Sequence, residues 1–178
     1  VLGYFAARKF KLTFKNFRKL FMAGALTFIA SQVLHVPLVY GLTAMFKNGA
    51  LPSPPESWTL IFNAVLLGLL AGIFEETARY ILFKYIMKSS HEWKDSISIG
   101  LGHGGIEAIL IGIISITTLF QMIAMKDASA ISAIGLPAEQ LEIVKTQVAT
   151  YWAQSSITPL FGLFERISAI SLHIGLSV

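Results

Sequence analysis

The chain of 178 residues contains no cysteine, which excludes disulfides and thiolate metal sites and leaves the redox compartment open. It is also poor in charge. Only 13% of residues are Asp, Glu, Lys or Arg against 54% hydrophobic, and with a mean hydropathy of +0.67 that balance excludes an ordinary soluble domain. Neither end reads as a signal peptide. The sequence lacks the ten-residue alternation of membrane β-barrels, and no internal repeat marks a second domain. The formal net charge is +4, but the basic residues gather at the ends of apolar runs, where membrane topology accounts for them. Nucleic acid is not an expected partner.

What is present is apolar sequence long enough to cross a bilayer four times, at about residues 20–45, 58–86, 97–125 and 158–178. Each run should be a helix, because a helix satisfies its own backbone hydrogen bonds in lipid. The expected fold is all-α, a polytopic transmembrane helical bundle forming one domain over residues 1–178, with the lipid bilayer as its surroundings. Residues 138–152 place Leu141, Val144, Val148 and Trp152 on one stripe and leave Glu139, Glu142 and Lys145 to water, the pattern of an interfacial helix. Pro137 suits its first turn and Pro159 that of the last span. Residues 1–7 look like the end of an earlier helix, and the apolar ending 173–178 predicts that the natural protein continues. Arg8, Lys9, Lys11, Lys15, Arg18 and Lys19, with Lys84, Lys88 and Lys94 in the 84–96 loop, predict a cytoplasmic location for both segments. Lys47, Lys126 and Lys145, the Asn48-Gly49 turn and the Pro52-Ser53-Pro54-Pro55 segment fall on the opposite side.

Against that background Glu75, Glu76 and Arg79 stand out as the only charges between Trp58 and Phe83. A carboxylate at mid-bilayer costs about 2.5–3.5 kcal/mol, so the cluster points to a reactive site; the alternative is an ion pair that only pins packing. Arg79 follows Glu75 by four residues and Glu76 by three, so it can neutralise either and leave the other free. In the third span His103 and Glu107 share a helical face at a spacing that lets both bind one metal. Gly100, Gly102 and Gly105 match the dinucleotide fingerprint, but no strand precedes them and the cofactor reading is rejected. Gly100, Gly104, Ala108 and Gly112, and separately Gly68 and Gly72, form small-residue stripes that predict close helix approach. The last span adds Glu165, Arg166 and His173. Glu165 could pair with Arg79, with Arg166 or with a metal. At about 1.5 Å per residue, Glu76 lies about 12 Å from Lys84, His103 about 12 Å from Asp95 and His173 about 9 Å from the same side of a roughly 30 Å core. His35, some 24 Å from Lys19 by that rise, reads as structural from position alone.

The segments Glu75-Glu76-Thr77-Ala78-Arg79, Gly102-His103-Gly104-Gly105-Ile106-Glu107 and Phe164-Glu165-Arg166 with His173 resemble the YhfC family of intramembrane metalloproteases, related to the CAAX prenyl endopeptidase and PrsW groups. Ser31-Gln32-Val33-Leu34-His35-Val36-Pro37 is also similar, which adds His35 to the candidates. The resemblance covers nearly the whole chain. It implies an integral protein of a bacterial cell membrane with about seven or eight helices, of which this chain is a core part. It places Glu75 and Glu76 as catalytic glutamates and His103, Glu107 and His173 as further active-site or metal residues.

The expected chemistry is hydrolysis of a peptide bond in a membrane-embedded or membrane-adjacent substrate. His103, His173 and one of Glu107 or Glu76 would hold zinc, Glu75 would act as general base, and Arg79 would keep the carboxylates ionised or stabilise the oxyanion. Glu165, Arg166 and His35 would support the site. No His-Glu-x-x-His motif occurs, so activation of water by Glu and His alone stays open. The same cluster could serve a membrane transporter or proton relay, or a structural subunit or sensor held together by its polar network. Nothing in the sequence specifies an oligomeric state.

Overall fold

The computed structural model describes residues 13–90, 92–127, 131–133 and 135–178; the apolar opening at 1–7 and the basic residues Arg8, Lys9 and Lys11 lie outside the described residues. Helix α1 (Phe14–Lys47) begins at Thr13, whose Oγ1 accepts the Asn16 N–H at 3.3 Å and satisfies a donor that a helix start leaves free. The helix continues through Pro37. It ends where Asn48 N–H bonds Ala44 O and Gly49 turns to φ +78°, a conformation that favours glycine. The proline-rich connection feeds a 3-10 turn (Glu56–Trp58) and then α2 (Thr59–Ile81), which closes in a π-helical turn at Leu82–Ile86 with Met87 N–H on Leu82 O at 2.8 Å. Helices α3 (Trp93–Ala124), α4 (Ala138–Ala153) and α5 (Thr158–Ser177) follow. No strand occurs among the described residues.

Among the described residues four helical stretches, Phe14–Lys47, Glu56–Ile86, Trp93–Ala124 and Thr158–Ser177, are long and apolar enough to cross a membrane. Large apolar side chains stay open along them, Leu60, Ile114 and Phe161 among them, an arrangement suited to lipid and not to water. The chain is an all-α integral membrane protein.

Two compact units divide it. The first comprises residues up to Glu107 together with Ile170–Val178; the second is Ala108–Ala169. In the first, Leu20, Leu82, Met87 and Ile99 form a small apolar core, and glycines determine how closely the helices approach. A Cβ on Gly24 of α1 would stand 2.0 Å from the Ile99 carbonyl oxygen, and one on Gly102 of α3 would stand 2.0 Å from that of Phe21. The two helices therefore touch backbone to backbone. On the other side of α3, a Cβ on Gly100 would lie 2.6 Å from Ile174 Cα and one on Gly104 3.0 Å from Ile170 Cα. Gly100 and Gly104 thus mediate close approach as their stripe predicts. Gly68, Gly72 and Gly112 do not: among the described residues nothing lies within 4 Å of a Cβ built on any of them. Gly24, which belongs to no small-residue stripe, takes part instead.

In the second unit, α4 turns Leu141, Val144 and Val148 inward relative to its open polar positions. Pro137 precedes its first turn, accepting the Leu141 N–H at 2.9 Å. Trp152 donates Nε1–H to Met122 O at 3.3 Å, and Lys126 Nζ lies 5.1 Å from the centre of the Trp152 ring, so the end of α3 is tied to the end of α4.

Candidate active site

Three helices of the first unit deliver polar groups to one place: α2 brings Glu75, Glu76 and Arg79, α3 brings His103 and Glu107, and α5 brings His173. The local sequence of α3 explains the placement. His103 sits between Gly102, pressed on α1, and Gly104, pressed on α5, so backbones close around it and it has no exposed surface. Phe28 of α1 meets its ring edge-on, with centroids 5.3 Å apart, and the His173 ring lies 4.6 Å away.

Glu75 Oε2 is 3.4 Å from His103 Nε2 and 4.0 Å from His173 Nε2. One ligand atom from each of Glu75, His103 and His173 lies within 4.8 Å of the other two. Glu107 reaches across to α5, where its Oε2 accepts from His173 Nε2 at 2.9 Å. Arg79 pairs through Nη1 with Glu76 and donates through Nη2 to His173 Nδ1 at 3.0 Å. Its guanidinium is buried while the Glu76 side chain is 44% exposed, so this ion pair spans the boundary between the packed interior and an open cavity of about 360 Å³ lined by Glu76, Arg79, Tyr80, Ser90, Ser96 and Ser177 among others. The cavity lies toward the connection between α2 and α3.

The donor set fits a zinc-like cation in kind and spacing. Ligand atoms about 2.0–2.2 Å from a tetrahedral ion stand roughly 3.4 Å from one another, the His103–Glu75 separation already has that value, and modest side-chain movement would close the rest. The sequence left Glu107 or Glu76 as the carboxylate ligand and Glu75 as the base. In the structure the carboxylate within reach of both imidazoles is Glu75, Glu107 is bonded to His173, and Glu76 is paired with Arg79.

The remaining candidates are placed differently. Glu165 pairs with Arg166 within the second unit. His35 Nδ1 is 3.1 Å from Gln32 Oε1 and its ring stacks on Phe74 at 5.6 Å, with Nε2 buried and unpartnered among the described residues. Phe28 and Gly24 carry no chemical signal of their own; their spacing from His35 and from each other along α1 is the only trace the sequence offers.

A family profile described as YhfC intramembrane metalloprotease matches residues 1–178. A Bacillus subtilis (strain 168) protein described as "Uncharacterized membrane protein YhfC" is 37% identical over 182 residues, covering 95% of this chain and 64% of its own length. This chain therefore spans about two-thirds of that relative. No solved structure matches it. With the buried histidines and the partly buried glutamate in place and the whole chain matched, it belongs to the YhfC intramembrane metalloprotease family.

Proposed function

We propose that the chain hydrolyses a peptide bond, in or beside the membrane, at the centre formed by Glu75, His103 and His173. The observation that carries this reading is the convergence of the three from separate helices, with ligand atoms within 4.8 Å of one another, inside spans where each polar group has a standing cost. Such convergence is what a reaction centre requires and lipid packing does not.

Glu75 faces His103 and is the carboxylate placed to take a proton from an attacking water as general base. Water would enter by way of the cavity beside the neighbouring Glu76 and Arg79. Glu107 and Arg79 grip opposite edges of the His173 ring, so that imidazole is oriented to pass a proton to the leaving amine. Glu76 keeps the buried Arg79 charge compensated. A divalent cation such as zinc, when bound, would be held by Glu75, His103 and His173 and would supply Lewis-acid chemistry at that point. With Glu75 so engaged, Glu107 is the carboxylate left beside His173 to accept the proton.

Membrane vesicles carrying the purified chain and a panel of single-span peptide substrates provide the test. Glu75→Gln should leave thermal unfolding near the parent value and lower turnover by about 10²–10⁴-fold, the usual contribution of a general base. Undiminished cleavage by Glu75→Gln would sink the assignment. The hydrogen bond between His173 and Glu107, with Glu75 nearby, also favours a second reading as a proton relay, which predicts acidification of vesicles under a pH gradient and no cleavage.

A further inference from the structure

Hydrogen-bond direction at His173 constrains the centre more tightly than distance does. A guanidinium has five N–H donors and no acceptor, so the Nδ1 that lies 3.0 Å from Arg79 Nη2 must present its lone pair. In a neutral imidazole the proton then resides on Nε2, the nitrogen that faces Glu107 Oε2 at 2.9 Å and also the one nearer the Glu75 carboxylate. A metal ion needs a lone pair on that same Nε2. With Arg79 in place, both ring nitrogens would have to be bare, which is an imidazolate and not the neutral ligand that metal sites use.

We propose that Arg79 decides whether this centre accepts a metal: while it donates to His173 Nδ1 the histidine is held in the tautomer that cannot ligate through Nε2, and a divalent cation is admitted only when Arg79 withdraws. The exchange balances. The proton leaves Nε2 and a proton occupies Nδ1, the ring stays neutral, the Nε2 lone pair passes to the cation, Glu107 gives up its bond to Nε2–H, and Arg79 loses one acceptor while keeping Glu76. This rests on the Glu75/His103/His173 reading of the site but not on its being a protease. Arg79 is on this account a positioning residue acting through His173. Its surroundings suit that role, since the guanidinium is buried, its Nε has no partner among the described residues, and the cavity beside it gives it somewhere to move.

The experiment measures binding and not turnover. Co²⁺ and Zn²⁺ are titrated into the purified full chain and into Glu76→Gln/Arg79→Gln, which removes the ion pair as a unit and supplies an amide oxygen able to accept from Nδ1–H. The double variant should bind roughly ten- to a hundredfold more tightly, the affinity equivalent of one hydrogen bond to a charged group, and adding His173→Ala should abolish the gain. Equal affinity, including binding by neither protein, overturns the proposal. Should the double variant fail to fold, histidine ¹⁵N spectra of the parent chain decide. His173 should show a bare Nδ1 and a protonated Nε2 without metal, and the reverse once metal binds; a protonated Nδ1 in the metal-free protein refutes the lock. Cleavage without any such metal response would leave the proposed hydrolysis standing and remove only Arg79's role, whereas the metal response without cleavage would do the opposite.

Discussion

The two halves of α3 differ in a way that reverses the habits of soluble proteins. From Ser96 to Gly104 the helix is built of Ser, Gly and His with a few aliphatics, and Ser96, Ser98, Ile99, Gly100, Gly102, His103 and Gly104 are buried. From Ala108 onward it is dominated by isoleucine and leucine, and Ile109, Ile113, Ile114 and Ile116 are open. Lipid is as apolar as leucine, so burying an aliphatic side chain against another helix gains little there, while small residues permit close contact and polar groups need partners. In this protein hydrophobicity marks the outside, and glycine with histidine marks the interior.

Glycine substitutions should break that contrast most severely. Gly102→Val places a branched side chain where even a Cβ would meet the Phe21 carbonyl at 2.0 Å, and is expected to yield no monodisperse protein in detergent, whereas Gly112→Val in the open half should purify and unfold like the parent. Equal behaviour of the two variants in a thermal-unfolding assay would mean that the backbone contact is not a constraint. Next in size comes chemistry. His103→Ala should depress peptide hydrolysis by about 10²–10⁴-fold, while Thr117→Ala, which loses only a bond to its own helix at Ile113 O, should retain parental turnover; a loss common to both would point to packing as the cause.

Ion pairs offer a finer contrast. Removing Arg79, whose partner Glu76 is 44% exposed and keeps its solvent, should cost about 1.5–3 kcal/mol, the range for hydrogen bonds to a charged group. Removing Lys145 from its exposed pair with Glu142 should cost no more than about 0.5 kcal/mol. Denaturation midpoints compare the two directly. The mildest perturbation tests the side from which the polar half is reached. Ser89→Cys and Ser53→Cys, introduced into a chain with no other thiol, should react with impermeant reagents from the cytoplasmic and external faces respectively, and labelling of Ser89→Cys from outside intact cells would invert the access route.

The spans were legible because their signal is composition accumulated over some twenty residues, and it survives any detail of packing. The YhfC resemblance was legible because Glu75, Glu76, Arg79, His103 and His173 are conspicuous in apolar sequence. Which atoms face one another was not legible. That Glu107 turns to His173, or that Arg79 bonds the same ring, depends on the rotation of each helix about its axis. For α3 that rotation is set by Gly102 meeting Phe21 of α1 and by Gly100 and Gly104 meeting Ile174 and Ile170 of α5, contacts between residues far apart in sequence that leave no periodic trace. Gly68 and Gly72 show the limit of the stripe argument, since small residues permit close approach without compelling it.

Contact between bare backbones has an entropic consequence. Glycine has no side-chain rotamers to immobilise, so once the helices have formed and the backbone cost of glycine has been met, the seat around His103 closes without the side-chain ordering that interlocked leucines would require. For the same reason it lacks the intermediate looseness of a side-chain core, in which rotamers hop while the helices stay together. The geometry at His103 should therefore hold constant on warming and then be lost in a single step when the helices part, so that the temperatures of inactivation and of unfolding coincide.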